Sequence, residues 1–152
     1  MRGITIDLLT HHQSETYRLL DEVQLFVSLD GILEVQHNGR HTSCYDQLLI
    51  VNRLDTIQIS HAQSLIKVRI PMHFFSKYIP TYCDCYFDQN ALASHERIIT
   101  LLKHAIQQPI QKQHRILMYD ILELLFDEAF ILTSTNFLPT MMCTHTHYLK
   151  KF

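Results

Sequence analysis

The amino-acid sequence predicts a mainly β chain that turns helical in its last third, a sandwich or small barrel of the jelly-roll kind followed by two helices. Three observations carry this. Between Gln24 and Ile59, short apolar runs are separated by Asp30-Gly31 and Asn38-Gly39, the dipeptides that most strongly signal tight turns between strands. Runs of strand length recur at short, even spacing through the first 70 residues and make seven or eight strands, the pattern of sandwiches and small barrels. After Pro71 the apolar period changes from two to that of a helix.

Composition fits one ordered domain. The chain has 152 residues, 47% of them apolar and 18% charged, long enough for a real core. Three glycines and four prolines leave little room for flexible linkers. The net charge is -2 and no basic run occurs, which argues against direct nucleic-acid binding by this stretch, since phosphate neutralisation supplies most of that affinity. The opening MRGITIDLLTHH lacks the apolar core of a signal peptide. No run is long enough to span a bilayer, so a cytoplasmic location is expected, with no membrane partner. Cys44, Cys83, Cys85 and Cys143 lack the paired C-x-x-C spacing of a zinc site and read as free thiols.

Taken in order, Ile4, Ile6 and Leu8 alternate with Thr5 and Asp7 and suit a first strand. Residues 11–15 read as a loop, and Tyr17 to Leu20 as a short strand. In the central stretch, a three-residue loop Leu29-Asp30-Gly31 with Gly31 left-handed would pair Val27 with Leu33. Leu25, Val27, Leu33 and Val35 would then share one face. A two-residue turn at Asn38-Gly39 carries that face on to Thr42 and Cys44. Leu48-Leu49-Ile50-Val51 is apolar on both faces, as in a strand covered on both sides. Asn52 to Asp55 form a turn, Ile57 and Ile59 alternate with polar residues, and Ile66, Val68 and Ile70 alternate with Lys67 and Arg69.

Pro71 opens a short helix through Tyr78 that Pro80 ends, and Thr81 to Asn90 reads as irregular. Ser94 suits an N-cap for a helix carrying Ile98, Leu101, Leu102, Ala105 and Ile106. A longer helix spans Lys112 to Leu132. Leu117, Ile121, Leu124, Leu125 and Glu128 lie on one side of it, and Ile116, Tyr119, Leu122, Phe126, Ala129 and Phe130 cover the rest. So wide an apolar surface is buried, against the preceding helix or against a second subunit. Residues 133–152 read as a linker that ends in mid-pattern, as in a piece of a longer protein. The divisions expected are thus 1–90, 91–132 and 133–152.

The stretch from Leu25 to Phe87 resembles the N-terminal sensing half of AraC-type transcriptional regulators. The likeness rests on Leu25-Phe26-Val27-Ser28-Leu29-Asp30-Gly31, Asn38-Gly39, Asp46-Gln47-Leu48-Leu49-Ile50-Val51-Asn52, Ile70-Pro71-Met72-His73-Phe74-Phe75-Ser76-Lys77-Tyr78 and Tyr86-Phe87-Asp88, in the family's order. It implies a cupin-like β-barrel that senses a small effector and a helical segment that makes a homodimer. DNA would be read only by a separate C-terminal domain with two helix-turn-helix motifs.

The residues themselves offer no catalytic set. Eleven histidines invite a metal, but His-x-His followed by Glu, the motif of the enzymatic cupins that the fold resembles, is missing. Across the Asn38-Gly39 turn His37 and His41 point to opposite faces. No Gly-x-Ser-x-Gly or Gly-rich phosphate loop occurs. The expectation is therefore a non-enzymatic binding domain without metal or cofactor. Its small, apolar effector would lie against Leu25, Val27, Leu33, Val35 and Cys44, with His37 and Arg40 near the mouth. Leu117, Ile121, Leu124, Leu125 and Glu128 are the candidate dimer interface. The rival readings are a metal-dependent cupin enzyme and a purely structural oligomerisation module.

Overall fold

A computed structural model describes residues 3–10, 16–61, 64–80, 83–89 and 92–134. Among the described residues eight strands precede Met72: β1 (Thr5–Leu9), β2 (Thr16–Arg18), β3 (Glu22–Ser28), β4 (Ile32–His37), β5 (Arg40–Tyr45), β6 (Leu48–Val51), β7 (Thr56–His61) and β8 (Leu65–Pro71). They form two antiparallel four-stranded sheets, one ordered β1-β8-β3-β6 and the other β2-β7-β4-β5. Neither sheet closes on itself. They pack face to face, since Phe26, Leu49, Val51 and Leu65 of the first share one buried cluster with Leu33, Val35, Cys44, Ile57 and Ile59 of the second.

The first sheet is covered on its other side as well. There Val23, Leu25, Val27, Leu48, Ile50, Ile66, Val68 and Ile70 join a second cluster. Its remaining members are Ile4, Phe75 and residues of β9 (Cys83–Phe87), β10 (Phe130–Ser134), α1 (Leu92–Ala105) and the helix α2, residues 110–129. Seven successive residues of β3 are buried, as a central strand between two layers requires. The expectation for Leu48 to Val51 holds for the same reason.

The Asn38-Gly39 turn is as read. Both residues have positive φ, 52° and 80°, the geometry of a two-residue hairpin. His37 pairs with Arg40, and Leu33 with Cys44. The other turn is different. Gly31 is left-handed at φ 89°, yet β3 and β4 do not pair. β3 lies between β8 and β6, and β4 lies between β7 and β5. Leu29-Asp30-Gly31 is the corner where the chain leaves one sheet for the other. It is tied down by Leu29 N–H donating to Ser64 O at 3.0 Å and by Ser64 N–H donating to the Asp30 carboxylate at 3.0 Å. A left-handed glycine serves a corner as well as a hairpin.

Leu25 and Val27 therefore do not line the space between the sheets. They face the helices, and Phe26 takes the inner position. Leu33, Val35 and Cys44 keep the inward face predicted for them.

Residues 72–78 form two 3₁₀ turns, Met72–Phe74 and Ser76–Tyr78, rather than one helix. α1 already runs from Leu92, so Ser94 is no N-cap. Two stretches that were read otherwise pair with each other: β9, expected to be irregular, and β10, expected to be helical as far as Leu132. β10 reaches into the stretch read as a linker, and residues 135–152, with Cys143, lie outside the described residues, as does the loop expected at 11–15.

α2 contains two π-helical stretches, Ile116–Ile121 and Leu125–Ala129. Four of its five buried residues, Leu117, Ile121, Leu125 and Ala129, recur every fourth position. In an α-helix such positions drift by about 40° at each step. The wider i→i+5 turns reduce that drift and keep one row of side chains on the sheet.

Candidate functional site

The space between the two sheets opens at one end into a cleft of about 510 Å³. Its walls are Tyr17 and Leu19 on one side and Glu22, Gln24, Lys67 and Arg69 on the other. Strand alternation sets the second wall. Glu22, Gln24 and Phe26 share a face of β3, Lys67 and Arg69 share a face of β8, and the register pairs Gln24 with Arg69 and Phe26 with Lys67. Val23, Leu25, Val68 and Ile70 hold the opposite face against the helices, so the polar set must point inward.

These groups form a continuous chain of hydrogen bonds. The Tyr17 hydroxyl donates to Gln24 Oε1 at 2.8 Å, and Gln24 Nε2 donates to Glu22 Oε2 at 2.7 Å. Arg69 closes the chain with a two-pronged contact, Nε to Glu22 Oε2 at 3.0 Å and Nη2 to Oε1 at 2.9 Å. Such a fork fixes the planes of both groups. Burial, reinforced by the Glu22 charge and only partly offset by Arg69, pushes the Tyr17 hydroxyl up to about 12. It stays a donor at neutral pH.

Lys67 is placed differently. Its ammonium lies 5.4 Å from the centre of the Tyr17 ring and 6.0 Å from that of Phe26, within cation–π range. Burial, and then the like charge of Arg69, lower its pKa, while Glu22 and Asp7 act against the shift.

His37 lies in the same cross-strand row as Tyr17, through Ile57, but outside the cleft lining. Its Nε2 meets Asp55 Oδ2 at 2.8 Å, and Asp55 also accepts from Asn38 Nδ2 at 3.1 Å and from the Asn52 amide at 2.9 Å. This set joins the hairpin turn to the 52–55 turn. Arg40 is exposed at the end of the hairpin. Cys44 is buried against the opposite sheet, where desolvation raises its thiol pKa and suppresses the reactive thiolate. No three His, Cys, Asp or Glu side chains among the described residues stand close enough together to hold a metal ion.

A second concavity of about 800 Å³ runs along the outer surface between α1 and α2. Leu101 and Leu124 line it together with Glu96, Arg97, Asp120, Glu123 and Asp127. Arg97 reaches Glu128 at 3.5 Å. The expected interface residues divide here. Leu117, Ile121 and Leu125 are at most 2% exposed and belong to the core under the first sheet, so they are not available to a second subunit. Leu124 lines the groove, and Glu128 is held at its side by Arg97.

The sequence reading missed Tyr17, Glu22, Gln24, Lys67 and Arg69. One signal pointed to them. If β6 is apolar on both faces, its sheet is covered on both sides. The polar positions of neighbouring strands in that sheet are then interior, and opposite charges such as Glu22 and Arg69 are needed there in pairs.

No protein-family model and no curated protein matches the chain. Among solved structures, the plu4264 protein from Photorhabdus luminescens aligns over 49% of this chain and 69% of its own, at 10% identity and a TM-score of 0.37. A likeness of that size carries no argument.

Proposed function

We propose that the chain is the effector-sensing and dimerisation part of an AraC-type transcriptional regulator, built on a cupin-like jelly roll. On this reading it works in the cytoplasm as a non-enzymatic homodimer and meets DNA only through a separate domain. The observation that carries the proposal is the polar cleft between the sheets, whose back wall is also the floor of the helical layer. Such a cleft has the few, convergent polar groups of a ligand site. The described residues around it supply no nucleophile paired with a base and no metal-ligand group, which favours binding over catalysis. An effector there contacts β3 and β8 directly, and the helices rest on the other face of the same two strands. Differential binding to two packings of that layer would shift the populations of the dimer.

The face proposed for a second copy is the α1–α2 groove around Leu124, in place of the buried Leu117, Ile121 and Leu125. A reporter assay tests both halves of the proposal. The chain is fused to a DNA-binding domain that represses only as a dimer, and repression is followed while small metabolites that raise the melting temperature of the chain are added. Repression that responds to such a compound is expected. A fusion that never represses, or one indifferent to every stabilising compound, refutes the proposal.

A further inference from the structure

We infer that the cleft takes a small organic monoanion, a carboxylate whose head group pairs with Lys67. The inference rests on reading the cleft as a ligand site. Among the described residues the cleft lining carries Arg18, Lys67 and Arg69 against Asp21 and Glu22, and the Asp7 carboxylate acts on Lys67 and Arg69 from the neighbouring strand.

The two arginines are placed differently from Lys67. Arg69 is forked onto both oxygens of Glu22, and Arg18 Nε donates to Leu54 O at 3.2 Å. Arg18 is exposed, so among the described lining residues Lys67 is the partly buried cation without a carboxylate. It is half-buried, and no carboxylate among the described residues comes within 4.0 Å of its ammonium. Asp7 is its register neighbour on β1, but the two make no ion pair. Among the described residues the ammonium meets two ring faces and no hydrogen-bonding side chain, and a carboxylate would supply the partner that such partial burial favours.

The surroundings also define the rest of the ligand. Tyr17 gives the Lys67 side of the cleft an aromatic wall, which suits a flat or alicyclic body attached to the charge. The Tyr17 hydroxyl is already engaged with Gln24. The Tyr17–Gln24–Glu22–Arg69 chain thus holds the walls in place and leaves the charge of Lys67 to select the ligand. A dianion would meet Glu22 and Asp21 at the same rim, which favours a single negative charge.

The test uses matched pairs in which only the charge changes: benzoate against benzamide, and cyclohexanecarboxylate against its amide. Binding to the wild-type chain, Lys67→Met and Lys67→Arg is followed by NMR shifts of the Tyr17 and Phe26 ring signals. Thermal melts establish that each variant is folded. At least one carboxylate is expected to bind the wild type more than about tenfold tighter than its amide, a margin of about 1.4 kcal/mol. Lys67→Met should erase that preference, and Lys67→Arg should keep it. Equal binding of acid and amide, or a preference that survives Lys67→Met, overturns the anion assignment and leaves the ligand site standing. Ring signals that none of the four compounds shifts would sink both.

Discussion

Arg69→Met isolates what holds the cleft wall together. Glu22 is 8% exposed, and its carboxylate receives both prongs of the Arg69 fork. Removing one partner of a buried ion pair costs about 3–5 kcal/mol, because the remaining charge stays buried. Two features reduce that figure here. The Arg69 side chain is 43% exposed, so water already screens part of the attraction, and Gln24 still donates to Glu22. A loss of about 2 kcal/mol follows, read as a drop of roughly 4–8 °C in melting temperature for a chain of this size. Urea denaturation at pH 7 measures it. Glu22→Gln combined with Arg69→Met removes the stranded charge and should recover more than half of the loss, since a buried amide is far cheaper than a buried carboxylate. Arg69→Met within about 0.5 kcal/mol of wild type, or a double variant whose loss equals the sum of the two single losses, would refute a coupled buried pair.

Burial pushes the Asp55 carboxyl up, but hydrogen bonds from His37, Asn38 and the Asn52 amide outweigh it and hold the group below its ordinary range. A depressed carboxylate stabilises the fold above its unfolded value of about 3.9, and that stability is lost as pH falls through the folded value. Asp55→Asn should therefore melt lower than wild type at pH 7, and the gap should close on acidification below about pH 4; parallel melting curves would contradict this. Phe87 is 1% exposed, and its ring centre lies 5.2 Å from Phe75 and 5.5 Å from Phe130, so Phe87→Ala should cost about 3–5 kcal/mol in the urea midpoint, and a loss below about 1 kcal/mol would show the cluster to be loosely packed. On the proposed dimer face, a two-fold contact brings Asp120, Glu123 and Asp127 of both copies together, so added salt should tighten the dimer by screening and Leu124→Glu should weaken it. Light scattering across a salt series decides, and a dimer that loosens with salt would argue for another face.

How far the sequence could be read depended on whether a signal was local. The Asn38-Gly39 hairpin was legible because both residues must take positive φ and the strands they join are neighbours in the chain. The corner at Gly31 carries the same local chemistry, yet β3 pairs with β6 and β8, the latter some 40 residues away. Nothing in a short window distinguishes a hairpin from a crossover between sheets. That one ambiguity reversed the faces of β3 and sent Leu25 and Val27 to the helices. Lys67 and Arg69 were missed for a related reason. Alternation identifies two faces but not which of them meets water, and here a second sheet covers the charged one. Leu117, Ile121 and Leu125 were legible as buried, but periodicity could not say that the covering surface belongs to the same chain. β9 and β10 stabilise each other across more than 40 residues, so neither stood out alone.

The first sheet links the cleft to the helices by geometry. Successive residues of a strand point to opposite faces, so Lys67 and Arg69 in the cleft alternate with Ile66, Val68 and Ile70 beneath the helices. Gln24 and Phe26 likewise alternate with Val23, Leu25 and Val27. A ligand that moves the inward side chains cannot shift the backbone of β3 or β8 without moving the outward ones. Those belong to one close-packed cluster with Ile98 and Leu102 of α1 and Leu117 and Ile121 of α2. Interiors packed at such density respond by repacking rather than by compression. The π-helical stretches of α2 lie over this cluster, and a helix with i→i+5 turns has a nearby alternative in the ordinary α-helical register. Conversion of one such turn rotates the residues beyond it, including Leu124 and Asp127 on the outer groove. On the proposed function, the cleft, the shared strands and the π-helical turns would make one contiguous path from ligand site to dimer face, and conversion of a π-helical turn is the two-state step that this path requires.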